Sequence, residues 1–181
     1  MTGFRSSFRR DLERFVQPSQ APRGVRMWLK ILAEPGLQFV LLARIQMAAE
    51  RRKRIGLARL VHLVNLRFTG GEFGHGCSVG PGLVTKHPLG VLVGGGTTLG
   101  ADCTVLHNVT FGELRLEEVG PRKYPQIGDR VMIGNGAAVL GGVQVGDGAQ
   151  IGAGAVVIHD LEAGETAVGV PARPIRKRKE R

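Results

Sequence analysis

Two cysteines, one tryptophan and one tyrosine are all that 181 residues contain of those types, and each scarcity excludes something. Cys77 and Cys103 cannot build a disulfide framework, and both fall where small buried core residues are expected. So few aromatic rings provide no basic-aromatic platform for stacking single-stranded bases, so no nucleic-acid partner is expected. Long apolar runs are also missing. The longest strongly apolar piece, residues 39–43, is far shorter than the ~20 residues of a membrane-spanning helix. Arg9, Arg10 and Asp11 interrupt the first stretch, so no signal peptide is read and a reduced cytoplasm is the expected compartment. Acidic residues are scarce in one part only. Residues 1–67 hold 4 of them against 14 Lys and Arg, a balance of +10, while residues 68–181 sum to zero. Such a basic arm, with a basic tail over 173–181, suits a phosphorylated cofactor or peripheral contact with an anionic membrane; a solvated helical surface is the plainer reading.

Glycine is what the chain has in excess: 28 residues, 24 of them between Gly70 and Gly169. Without a collagen period, that density signals many tight corners. Ile127, Ile133, Val139, Val145, Ile151 and Val157 recur every six residues, and five of them are followed within two places by glycine. Four places after each stands a second apolar residue: Val131, Ala137, Val143, Ala149, Ala155 and Leu161. No α-helix has a period of six. A fixed six-residue unit marks a parallel β-helix, in which short strands meet at glycine corners and successive coils stack. The period also runs earlier, through Phe73, Val79, Thr85 and Val91, and then, displaced by two, through Val93, Leu99, Val105 and Phe111. Between the early and late series, residues 112–126 are charged and read as an extruded loop. The glycines at 94–96 read as a corner, because the Gly-Lys-Ser/Thr of a phosphate loop is absent.

Residues 1–67 read as helical. One short helix spans 8–15; a second starts at Pro35-Gly36 and ends in Arg51-Arg52-Lys53-Arg54; a third spans 57–68. The expected organisation is a basic helical region over 1–67, a hexapeptide-repeat body over 68–172 with an extruded loop at 112–126, and a basic tail over 173–181.

Five histidines, at 62, 75, 87, 107 and 159, are the candidates for chemistry. A zinc centre on such a coil needs three convergent histidines, two of them close in sequence, and no such pair exists. No metal is therefore expected, and a metal-binding or non-catalytic repeat protein is an alternative reading. Histidine starts near pKa 6.5, the range a general base needs at neutral pH.

Ordered pieces carry a resemblance. They are Glu72-Phe73-Gly74-His75, the run from Lys86-His87-Pro88 to Gly94, Asn108-Val109-Thr110-Phe111-Gly112, Tyr124-Pro125-Gln126-Ile127-Gly128-Asp129, Met132 to Ala137, and Val168-Gly169-Val170-Pro171-Ala172. Over about 100 residues the chain resembles the catalytic domain of serine O-acetyltransferases and related polysaccharide O-acetyltransferases. The resemblance implies a mainly β fold, a left-handed parallel β-helix with a short N-terminal α-helical region, assembled as a homotrimer. It also implies acetyl-CoA as co-substrate and a hydroxyl acceptor. His87 matches the catalytic histidine, and Glu72 stands where its partner aspartate belongs. Asn135 and Ala153 match positions lining the pantetheine groove. Backbone N–H groups near Gly112 suit an oxyanion, and Arg173 suits the phosphates of CoA. With three hexads per coil in that fold, the twenty residues between His87 and His107 equal one coil plus the two-residue displacement, so the two should stack on one face. Lys86, Lys123 and Tyr124 occupy substrate-binding positions where serine acetyltransferases carry Asp, Arg and His. A lysine facing an ammonium is electrostatically wrong, so a sugar hydroxyl, or a small acceptor bearing an acidic group, is the alternative acceptor.

Overall fold

The computed structural model describes residues 3–16, 25–114 and 123–175. The loop charges Arg115, Glu117, Glu118 and Arg122, and the basic tail from residue 176, lie outside the described residues. Four helices come first: α1 (Phe4–Phe15), α2 (Val25–Ala33), α3 (Pro35–Arg51) and α4 (Ile55–Thr69). Three of them meet the expectation, with α1 starting four residues earlier than foreseen. The sequence reading missed α2. Its Trp28, Leu29 and Leu32 are exposed while Ile31 is buried.

Proline occupies the first turn of α3, where its missing N–H costs nothing. Leu37, Phe39, Val40, Ala43, Arg44, Gln46 and Met47 then recur every three or four residues and are buried, as one face of a packed helix requires. α4 buries only Ala58, Asn65 and Thr69. Gly70 ends it with φ +70°, its N–H bonded to Leu66 O at 3.0 Å; that left-handed cap is cheap for glycine.

From Glu72 the chain visits three faces in rotation. The first face holds strands Glu72–Phe73, Leu92–Val93, Thr110–Gly112, Ala138–Leu140 and Val156–Val157. The second holds Ser78–Val79, Thr98–Leu99, Gln126–Ile127 and Gln144–Val145. The third holds Thr104–Val105, Met132–Ile133, Gln150–Ile151 and Thr166–Val168, all parallel, with Arg173–Ile175 added antiparallel. Each strand is two or three residues long, so every coil is three short strands and three corners.

The hexad series line the interior. Phe73, Phe111, Ile133, Val139 and Val105 are at most 1% exposed, and Cys77 and Cys103 are buried among them. The companion series, Val131, Ala137, Val143, Ala149, Ala155 and Leu161, is buried as well. One continuous core runs from Phe39 of α3 through the coils to Ala172. Its upper end is closed by Phe39 against Phe73, ring centroids 4.6 Å apart. Each fully buried Val, Leu, Ile or Phe contributes about 1.5–3 kcal/mol, so this column carries most of the apolar stabilisation.

Candidate active site

Four successive corners between the third and first faces stack along one edge of the coil. They carry Lys86 and His87, then His107, then Asn135, then Ala153. Backbone bonds tie the rungs: Asn108 N–H to Leu89 O at 2.9 Å, Gly136 N–H to His107 O at 3.0 Å, and Gly154 N–H to Asn135 O at 2.9 Å. His87 and His107 thus occupy corresponding corners one coil apart, as the spacing of twenty predicts. The corner bearing His87 is longer than those below it. Val84 pairs with Thr104, an offset of twenty, but Leu92 pairs with Thr110, an offset of eighteen. The two extra residues push Lys86 and His87 into solvent while Thr85 and Pro88 stay buried. An exposed imidazole at a bulged corner can reach a substrate; one facing the core could not. The chain's last turn, over 169–172, closes the same edge: Val156 N–H bonds Gly169 O at 3.0 Å and Ala172 N–H bonds Val156 O at 2.7 Å. Arg173 follows it, exposed, on the antiparallel strand.

Gly112, Lys123 and Tyr124 stand on a different edge, between the first and second faces. Gly112 ends its strand shortly before residues 115–122, which lie outside the described residues, and Tyr124 follows them. The Tyr124 hydroxyl donates to Glu113 Oε1 at 2.6 Å, which ties the two feet of the loop together. That bond is the main cause of a Tyr124 pKa above the ordinary phenol value. Its ring lies on the glycine run: a Cβ at Gly96 would sit 2.1 Å from Tyr124 Cδ2, and one at Gly94 2.9 Å from Cε1. Room for this ring accounts for Gly96, and at Gly94 the Phe111 carbonyl oxygen, 2.8 Å from such a Cβ, excludes a side chain as well. Apart from Glu72, the predicted site residues therefore form two groups, flanking the first face; among the described residues Glu72 pairs with His62 and not with His87.

Glu72 projects from the uppermost strand of that face towards α4. Its Oε2 lies 3.5 Å from His62 Nε2. His62 Nδ1 lies 3.1 Å from Phe73 O, and a carbonyl only accepts, so Nδ1 carries a proton. Nε2 then attracts the carboxylate only when it too is protonated. A second pair adjoins it. His75 Nδ1 is 2.7 Å from Glu50 Oε1, Gln46 Nε2 donates to the same oxygen at 3.1 Å, and the two imidazoles are 5.5 Å apart. Burial opposes the charge on Glu50, but hydrogen bonds from His75, Gln46 and Gly76 N–H outweigh it and hold its pKa below the ordinary value. Sequence reading named Glu72, and His62 and His75 among five candidate histidines without giving either a role, and it did not name Glu50. No fixed spacing links these partners; only the docking of α3 and α4 on the first coil does.

Among the described residues no three His, Cys, Asp or Glu side chains converge as a metal ion would require. Nor is any described helix long and apolar enough to cross a membrane.

Comparison with known proteins fits this geometry. Residues 124–159 match the bacterial transferase hexapeptide model of six repeats. The serine acetyltransferase of Helicobacter pylori is 39% identical over 167 residues, covering 92% of this chain and 95% of that protein. That of Bacillus subtilis is 39% identical over 80% of this chain and 66% of its own length. Among solved structures, Neisseria gonorrhoeae serine acetyltransferase superposes with a TM-score of 0.84 at 31% identity, over 96% of this chain and 65% of that one. The soybean enzyme complexed with serine gives 0.84 at 32%, over 95% and 69%. The chain thus spans nearly all of the Helicobacter protein but about two thirds of the longer relatives. Nothing in these relatives supports the sugar-modifying or the metal-binding, non-catalytic alternative. The chain belongs to the serine acetyltransferase family, and it is an acyltransferase.

Proposed function

We propose that the coil is a left-handed parallel β-helix and that it transfers the acetyl group of acetyl-CoA to the hydroxyl of serine. The observation that carries this reading is the bulged corner at His87, standing directly above the corners of His107, Asn135 and Ala153. His87 removes the acceptor's hydroxyl proton as that oxygen attacks the thioester carbonyl. The C–S bond breaks, and the CoA thiolate takes the proton from the imidazolium. Backbone N–H groups near Gly112 stabilise the oxyanion, and Glu72 orients His87 by turning its carboxylate from His62, against which it lies in the free protein. Serine carries a carboxylate as well as an ammonium, so Lys86 and Lys123 suit its carboxylate, with His107 and Tyr124 lining the acceptor. The corners of Asn135 and Ala153 receive the pantetheine arm, and Arg173 meets the phosphates of CoA.

Two groups of site residues on two edges point to a shared site. In a homotrimer the His87 edge of one copy faces the loop edge of the next. The outward residues of the second face, Ser78, Thr98, Gln126 and Gln144, are all polar, whereas the first face turns Leu92, Ala138 and Val156 outward beside Glu72 and Thr110. The first face is the one suited to packing against a copy. Sedimentation should give a trimer, and a monomer would contradict the shared site.

The functional test follows acetyl-CoA consumption with serine, homoserine and a sugar panel. Serine should be the preferred acceptor. His87→Ala should lose about 10²–10⁴-fold in kcat, the usual contribution of a positioned base, with its fold intact because the side chain is exposed. Full activity in that variant removes the mechanism. The basic helical region, as a separate unit of charge, suits peripheral contact with anionic membranes; flotation with anionic liposomes at low salt tests it, and no binding ends the idea.

A further inference from the structure

The helices contribute no group to the reaction above except by contact with Glu72, yet their most buried charges converge on the segment leading to His87. Asp11 of α1 is 0% exposed and Arg44 of α3 is 3% exposed. They meet as a fork: Arg44 Nε donates to Asp11 Oδ2 at 2.9 Å and Nη2 to Oδ1 at 2.8 Å. The pair does not close on itself. Asp11 Oδ1 also accepts the N–H groups of Gly82 at 2.7 Å and Leu83 at 2.9 Å. Arg44 donates to the carbonyls of Val79 and Gly80, both at 2.6 Å. Arg14 of α1 adds bonds to Gly82 O and Cys103 O. At the start of α3, Gly36 lies so near Thr85 that a Cβ would stand 1.8 Å from its carbonyl oxygen.

The segment held this way, residues 79–85, is the outermost rung of the second and third faces. On its inner side it bonds the next coil, Gly80 N–H to Leu99 O and Val84 N–H to Cys103 O. On its outer side no further strand among the described residues takes the ladder. Charge-assisted bonds from a buried carboxylate and guanidinium replace that ladder, and they are about twice as strong as neutral ones. The clamp ends at Thr85, and the exposed Lys86 and His87 follow immediately.

We propose that Asp11 is a positioning residue for His87: with Arg44 it acts as the missing first rung, fixing the backbone from which the bulged corner springs. This rests on the reading of His87 as the base. Among the described residues Asp11 hydrogen-bonds Arg44 and the backbone N–H groups of Gly82 and Leu83, so it works through the segment and not on the substrate.

The test compares Asp11→Asn with Arg10→Ala in the full chain. Arg10 docks the same helix through Asp102 at 2.9 Å; the backbone N–H of Asp102 bonds Pro81 O at 2.8 Å, but Arg10 has no described hydrogen bond of its own to residues 79–85. Readouts are kcat, the KM for acetyl-CoA, and amide hydrogen exchange over 80–88. A displacement of about 1 Å costs about 10²-fold in rate, so Asp11→Asn should lower kcat by about ten- to a hundredfold. It should also speed exchange over 80–88 and leave the acetyl-CoA KM nearly unchanged. Arg10→Ala should leave kcat and that exchange near wild type. If Asp11→Asn does not fold, Arg44→Lys, which keeps the charge and loses the fork, carries the same prediction. Faster exchange with unchanged kcat overturns the proposal, as does an equal loss in Arg10→Ala. Full activity in His87→Ala overturns the base and this proposal together. An inactive His87→Ala beside a fully active Asp11→Asn overturns the positioning role alone.

Discussion

At the scale of single residues, the glycine run at 94–96 has a consequence that corner geometry alone would not give. Gly96 has no room for a methyl group because the Tyr124 ring occupies it. Gly96→Ala must push that ring away, and the ring carries the hydroxyl that ties Tyr124 to Glu113. Overpacking of this kind costs about 1–3 kcal/mol. The expected result is a modest fall in melting temperature together with a raised acceptor KM, because both feet of the loop are released. Gly154→Ala is the contrast. It has open space around it but a φ of +66°, so it should strain the backbone at the Asn135–Ala153 edge and leave the loop alone. Steady-state kinetics with melts on both variants check this; equal effects on acceptor KM would show that the Tyr124 contact is not what matters.

At the scale of elements, what was legible in the sequence differs between the coil and the helices. The hexads located the core because a period of six survives any packing detail: Ile127, Ile133 and Val139 point inward wherever the coil is cut. The placing of His87 and His107 on corresponding corners of successive coils followed from the same arithmetic. The Asp11–Arg44 clamp and the Glu50–His75 pair were not legible, because each joins residues whose nearness is created by docking and not by period. Nor could the sequence show that Tyr124 would be committed to Glu113. Helix α1 illustrates the physics. Arg10 forms a two-pronged bond to Asp102, and that bond, against some burial, holds the Asp102 pKa below the ordinary carboxylate value. A carboxylate with a depressed folded pKa adds stability above its unfolded value, about 4, and loses it as pH falls through the folded value. Docking of α1 should therefore weaken progressively below about pH 4. Hydrogen exchange over residues 3–16 against pH should show this acid limb, and Asp102→Asn should flatten it. An unchanged limb in that variant would assign the acid sensitivity to another group.

At the scale of the whole molecule, one core column joins α3 to the coils, and the two cysteines report on it from different heights. Cys77 lies on the first coil, beneath α3. Cys103 lies one coil further down, with Sγ 3.3 Å from Gly128 O. Burial pushes the Cys77 thiol up to about 12 and the Cys103 thiol up to about 11. The thiolate is the reactive form, so neither should react with an alkylating reagent at neutral pH until the column opens. An open-ended coil would fray from its first rung and expose Cys77 sooner. Here the first rung is covered: Gln46 and Glu50 of α3 bond Phe73 O and His75 beside Cys77, and Phe39 packs on Phe73. Labelling of Cys77 and Cys103, followed by peptide mass spectrometry through a urea series, should therefore rise together at the global transition. Weakening the cap with Phe39→Ala, a change that costs about 3–5 kcal/mol in a packed core, should make Cys77 label first. Earlier labelling of Cys77 in the unaltered protein would mean that the helices sit on the coil without closing it.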